Sequence, residues 1–183
     1  MKLGNRWVSR IAKSDDHDRW VPAVNEIPSG SCCKYRLDKS TGQLVLARAL
    51  PKDIRFPANY GFVPRTRSPA DDEEIDVMVL SCEPILSLTL VRARIVGGFT
   101  ETASDEARSE DKLLAVAIDD PNVASIRALT DVPREQRDEI EHFVKTYKRD
   151  EEVAVVFDGW LSRDEAMAHL SRGFKRAKKR APE

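Results

Sequence analysis

Apolar positions fall in short runs through most of the chain and take up a helical period only near its end. From Val21 the pattern is strand-like. Lys34-Tyr35-Arg36-Leu37 and Gln43-Leu44-Val45-Leu46-Ala47-Arg48 are brief runs separated by Asp38-Lys39-Ser40-Thr41-Gly42. That separator is turn chemistry, so the pair predicts a hairpin. Ile75 to Leu80 reads as a buried strand, Leu88 to Gly97 as a long alternating one, and Leu113 to Ile118 as another. Five or more strands at short intervals, before any long helix, predict a small closed barrel. Ile140, Phe143, Val144 and Tyr147 then recur at helical spacing, with Asp131 and Pro133 as a start, and predict a helix to about Lys148. A last strand is expected over Val153 to Phe157, before Gly159-Trp160. Ser162-Arg163-Asp164-Glu165 matches a capping box that opens a second helix, with Ala166, Leu170 and Phe174 on one face. The expected class is mainly β with flanking helices (α+β). No repeat or linker divides it, so residues 21–183 are expected to form a single domain behind an N-terminal arm, residues 1–20.

Composition adds boundaries to this picture. The chain has 183 residues and a net charge of -1, the balance of an ordinary soluble domain with its own core. No run approaches the ~18 apolar residues of a membrane span. The first residues are charged rather than apolar, so no secretory leader is expected. Three cysteines, with Cys32 and Cys33 adjacent, suit a reduced, cytoplasmic setting. His17, His142 and His169 lack partners at zinc spacing, so any metal must be held by oxygen. The basic stretch Lys175 to Arg180 reads as a solvated helix end, with an anionic partner as the alternative.

The chemistry concentrates around Arg55-Phe56-Pro57-Ala58-Asn59-Tyr60-Gly61-Phe62 and the acidic run Asp71-Asp72-Glu73-Glu74-Ile75-Asp76. Carboxylates so close repel one another unless solvated or neutralised. A solvated loop would explain the run. Hard oxygen ligands at a strand mouth, suited to Mg²⁺ or Mn²⁺, would explain it equally. Further charge lies at other strand ends: Glu26, Lys34 and Arg48 early, then Asp105, Glu106, Glu110, Asp111 and Lys112, with Tyr147-Lys148 closing a helix. Carboxylates and cations recurring on both sides of a barrel suit a polyphosphate bridged by metal ions, with Lys and Arg on its outer oxygens.

Glu26-Ile27-Pro28-Ser29-Gly30-Ser31, Lys34-Tyr35, the Phe56 to Phe62 stretch, the acidic run, Val96-Gly97, Asp105 to Lys112, His142-Phe143 and Tyr147-Lys148 together resemble the soluble family I inorganic pyrophosphatases, over roughly residues 24 to 180. The resemblance implies a five-stranded, OB-like β-barrel with two helices in the C-terminal half, and Mg²⁺-dependent hydrolysis of pyrophosphate to two phosphates. It implies Asp71, Asp76, Asp105 and Glu110 as metal ligands. Lys34, Arg48, Tyr60, Lys112, Tyr147 and Lys148 match phosphate-binding positions, and Glu26 matches an acidic residue of the outer site. It also implies a homo-oligomer, the hexamer of short bacterial members.

Four departures qualify that likeness. The family usually has Asp-Gly-Asp-Pro-x-Asp in the acidic run, and the interval from Tyr60 to Asp71 is one residue longer here, so either Asp72 or Glu73 stands as the catalytic base. Glu110 replaces an aspartate ligand, Arg36 replaces a common glutamate, and Phe56 replaces a tyrosine. An added methylene moves a carboxylate by roughly 1.5 Å, and misplacement on the scale of ~1 Å can cost ~100-fold in rate. A catalytically weakened homologue kept for binding or assembly is therefore the alternative reading. A nucleic-acid-binding barrel would need aromatic stacking platforms on a basic groove. This chain has few aromatics and acidic loops, so neither nucleic acid nor a membrane is an expected partner.

Overall fold

The computed structural model describes residues 16–105 and 108–180. Of the expected arm, residues 1–15 lie outside the described residues. The strands are β1 (Val21–Ile27), β2 (Cys33–Asp38), β3 (Gln43–Ala49), β4 (Asn59–Val63), β5 (Ile75–Leu80), β6 (Leu90–Ala103), β7 (Glu110–Ala117) and β8 (Val155–Leu161). Among the described residues two α-helices, α1 (Arg134–Thr146) and α2 (Arg163–Arg180), come late as expected.

β1, β4, β5, β7 and β6 hydrogen-bond in that order, and β6 pairs back onto β1 through Val21↔Ala93 to Val24↔Leu90. This closes a five-stranded barrel, the OB-like architecture anticipated. β5 and β7 run parallel, and the other pairs antiparallel. β8 extends the far half of β6, and β2–β3 forms a separate hairpin. The alternation of each strand sorts its residues into two cores. Val21, Ala23, Val63, Ile75, Val77, Val79, Ala93, Ile95, Leu113 and Ala115 come from all five strands and form the interior, against which α2 packs Ala166 and Leu170. The opposite face of the same strands presents Met78, Leu80, Leu114 and Val116 to Ile140, Phe143 and Val144 of α1. β1 and β4 approach so closely that a Cβ at Gly61 would lie 1.8 Å from the Val24 carbonyl oxygen.

Three strands differ most in extent from expectation. β6 continues six residues past Gly97, because its polar Thr100-Glu101-Thr102 stretch is held between β7 and β8. β7 begins at Glu110 rather than Leu113, so the charged trio Glu110-Asp111-Lys112 is strand. β8 starts at Val155 and runs through Gly159 to Leu161. A bulge there, with Thr100 opposite Gly159 and Glu101 opposite Phe157, uses the positive φ of 150° that glycine tolerates. Asn59–Val63, read from sequence only as a motif, is a strand. α1 ends at Thr146, leaving Tyr147 as its cap and Lys148 beyond it.

Candidate active site

On the outer, α1-facing side of the barrel, the hairpin β2–β3, the acidic turn before β5 and the end of α1 enclose a cavity of about 220 Å³. Strand alternation builds its floor. Asp76 on β5 lies on the face of Met78 and Leu80, while Glu110 and Lys112 lie on the face of Leu114 in the parallel neighbour β7. Tyr60 of β4 reaches diagonally from its register partner Met78 and donates its hydroxyl to Asp76 Oδ2 at 2.5 Å. Lys112 Nζ donates to Asp76 Oδ2 and Glu110 Oε2, both at 2.8 Å, and lies 3.6 Å from Glu101 Oε1. Tyr147, at the end of α1, donates its hydroxyl to the same Glu101 oxygen at 3.2 Å.

Charges this close perturb one another. Burial opposes the positive charge of Lys112, but Asp76, Tyr60, Glu101 and Glu110 outweigh it and hold the ammonium well above its ordinary value. Burial likewise works against the charge of Asp76, yet Lys112 and the Tyr60 hydroxyl keep this carboxyl below its ordinary value. Burial prevails elsewhere. It pushes Glu110 up to about 6 despite Lys112, with Asp76 adding to the rise. It pushes Glu26 up to about 7, although Glu26 accepts a 2.6 Å hydrogen bond from the Leu37 amide. Glu101 is raised and Lys34 lowered, again chiefly by burial. Among the described residues, seven carboxylates line the cavity (Glu26, Asp71, Glu73, Glu74, Asp76, Glu101 and Glu110) against five basic side chains, Lys34, Arg36, Lys39, Lys112 and Lys148. The excess is negative.

Ten of the residues singled out in the sequence meet here: Glu26, Lys34, Tyr60, Asp71, Glu73, Asp76, Glu110, Lys112, Tyr147 and Lys148. Three do not line the cavity. Asp72 has a φ of 66° and turns its carboxylate to Arg67, 3.3 Å away. Arg48 donates to the Tyr147 carbonyl at 3.0 Å and pairs with Asp150 and Glu151, clamping β3 to the segment after α1. Asp105 sits exposed on the turn after β6, 3.7 Å from Lys148 Nζ. Glu73 instead meets Arg36 at 3.0 Å and Lys39 at 3.5 Å, so the unusual arginine faces the unusual glutamate. Glu74 of the acidic run also lines the cavity, whereas Glu101 and Lys39 belong to no site motif in the sequence. Lys39 lies in a stretch that reads as a turn. A clue to Glu101 was available in the alternation Phe99, Glu101, Ala103, which places a carboxylate in a buried row.

The outer face of the barrel thus carries an acidic cavity walled in part by lysines and tyrosines. The family model for inorganic pyrophosphatase matches residues 23–178. Over 155 residues the chain is 40% identical to an inorganic pyrophosphatase of Streptomyces coelicolor, covering 84% of this chain and 93% of that one. Over 152 residues it is 38% identical to soluble inorganic pyrophosphatase 2 of Chlamydomonas reinhardtii, covering 83% and 78%. The crystal structure of inorganic pyrophosphatase from Thermus thermophilus superposes with a TM-score of 0.86 at 30% identity, covering 97% and 99% of the two chains. The chain belongs to the inorganic pyrophosphatase family. Among the described residues, no helix is long and apolar enough to cross a membrane.

Proposed function

We propose that this protein hydrolyses inorganic pyrophosphate to two phosphates with a divalent cation, Mg²⁺ or alternatively Mn²⁺, in the cavity around Asp76. The observation that carries the reading is the grouping of Asp76, Glu110, Lys112 and Tyr60 at its floor, in a chain of this family. Among the described residues no three acidic, histidine or cysteine side chains close into a cage by themselves. Mg²⁺ does not require one, since it keeps several waters and takes one or two carboxylates plus substrate oxygens. The donor set is all oxygen and its charge excess is negative, so the residues fit such an ion. Asp71, Asp76 and Glu110 would hold it, with Asp105 reaching in from the rim. When bound, the cation acidifies a water and neutralises phosphate charge.

The chain's own groups account for the rest. Lys34, Lys112, Tyr147 and Lys148 offer donors to phosphate oxygens, Lys34 from β2 and Lys148 from the segment after α1, and Arg48 fixes the backbone that carries Tyr147 and Lys148. Glu73 is the better base candidate, because it lines the cavity and Asp72 does not. As the water oxygen bonds to phosphorus, Glu73 accepts its proton and the bridging P–O bond breaks. The negative charge moves to the leaving phosphate, where Lys112 and its neighbours stabilise it. The weakened-homologue alternative is not favoured, since the relatives compared carry the enzyme's name and Glu110 still reaches the floor.

We further read residues 21–183 as one functional domain in a cytoplasmic homo-oligomer, with a hexamer favoured. The exposed Leu86, Leu88 and Leu90 supply apolar surface for self-association. The test of the reading is phosphate release by the purified protein with Mg²⁺ from pyrophosphate, ATP and tripolyphosphate. Preferential turnover of pyrophosphate is expected, and its absence in folded, metal-supplied protein would overturn the assignment.

A further inference from the structure

Glu101 is a buried carboxylate, 5% exposed, that belongs to neither the acidic run nor the turn around Asp105. Its direction is fixed by its neighbours in β6. Thr100 Oγ1 donates to Asp111 Oδ1 at 2.8 Å across to β7, and Thr102 Oγ1 donates to Asp158 Oδ2 at 2.6 Å across to β8. Both threonines are thus tied to flanking strands, and the alternation turns Phe99 and Glu101 to the cavity, where both form part of its wall. Register places Glu101 opposite Glu110 and two pairs along from Phe99↔Lys112, on the same face.

One oxygen of this side chain, Oε1, links two elements. It accepts the Tyr147 hydroxyl at 3.2 Å and stands 3.6 Å from Lys112 Nζ. Lys112 is anchored to the barrel by Asp76 and Glu110 without it. Tyr147, however, stands on the cap of α1, and its hydroxyl has Glu101 as its acceptor. The carboxylate therefore sets the separation and orientation of a donor on the barrel floor and a donor on the helix wall. We propose that Glu101 is a positioning residue for substrate binding, holding the Tyr147 hydroxyl and the Lys112 ammonium as a preformed pair of donors for one phosphate group. A carboxylate on a central strand, locked by threonine ties on both sides, is a rigid support for such a pair. The inference rests on the pyrophosphatase reading of this cavity.

A double-mutant cycle on the intact protein tests it. Glu101→Leu removes the acceptor and the charge, Glu101→Gln keeps an acceptor but removes the charge, and each is combined with Tyr147→Phe. Glu101→Leu should lower kcat/KM for pyrophosphate by on the order of 10- to 100-fold. Tyr147→Phe should then add little, because the hydroxyl is already unguided. In the Glu101→Gln background Tyr147→Phe should still cost activity, since the amide oxygen continues to hold the hydroxyl. A merely structural role would lower the melting temperature and leave the two losses multiplicative. Multiplicative losses, or a folded Glu101→Leu protein with wild-type kcat/KM, overturn the proposal. If Glu101→Leu does not fold, Glu101→Gln decides, with a loss of about 10-fold expected and a wild-type value contradicting the role. If the wild-type protein turns over no pyrophosphate, or Tyr147→Phe and Lys112→Ala leave turnover intact, the site reading itself fails and the role of Glu101 falls with it.

Discussion

Lys112 shows how one residue can organise a site. A buried ammonium is costly unless paired, and here Asp76 and Glu110 bond it directly while Glu101 stands close by. More carboxylate than ammonium remains, and protons or cations must make up the difference. Glu110, raised by burial to about 6, takes up a proton below that pH. Because a ligand must be deprotonated to bind metal, apparent Mg²⁺ affinity should fall roughly tenfold between pH 7 and pH 5; calorimetric titrations at the two pH values check this. Glu26 gives a stability prediction. Its carboxyl rises from 4.5 to about 7 in the folded protein, chiefly through burial. The folded state thus holds the proton more tightly than the unfolded chain. This contribution to stability is full below the unfolded value and lost as pH rises towards 7. Melting of metal-free protein should show that decline between pH 5 and pH 7, and Glu26→Gln should flatten it.

Elements were legible where local pattern and tertiary role agree. Ile75 to Leu80 was readable to the residue because both its faces are apolar beyond Asp76. The hairpin was readable from its turn, which Asp38 closes by accepting from the Ser40 amide and hydroxyl. The second helix was readable from its cap. Ser162 accepts from the Glu165 amide at 3.3 Å, and Glu165 accepts from the Ser162 amide at 2.8 Å. Ser162→Ala should therefore cost about 1 kcal/mol in denaturant unfolding. The far half of β6 was not legible, since Thr100-Glu101-Thr102 looks like loop until β7 and β8 are known to flank it. β4 was hidden for a related reason: Gly61 weakens a strand pattern, yet the close approach of β1 demands it. Gly61→Ala, which drives a methyl into the Val24 carbonyl, should destabilise by about 3 kcal/mol in the same experiment.

At the scale of the molecule, the barrel converts residues scattered from Glu26 to Lys148 into one cavity, and most of that set was visible as charged strand ends and family motifs. What stayed hidden was geometry set by distant partners. Arg67 draws Asp72 away while Arg36 and Lys39 face Glu73, and no local pattern separates those two carboxylates. Arg48 matches a phosphate-binding position by resemblance, and no local pattern shows its contact with the Tyr147 carbonyl in the segment after α1. The proposed assembly predicts a light-scattering mass near six chains of 20.7 kDa at micromolar protein; a monomer there would end that proposal. The account as a whole turns on Asp76, which directly precedes the apolar part of β5 and accepts from both Tyr60 and Lys112. Asp76→Asn keeps the shape and removes the charge. Its steady-state turnover of pyrophosphate across a Mg²⁺ titration, beside circular dichroism to confirm the fold, is the most direct test. The expected result is a loss of ~100-fold or more in kcat together with a shift to higher Mg²⁺ demand, and near-wild-type turnover by a folded Asp76→Asn protein would contradict the account.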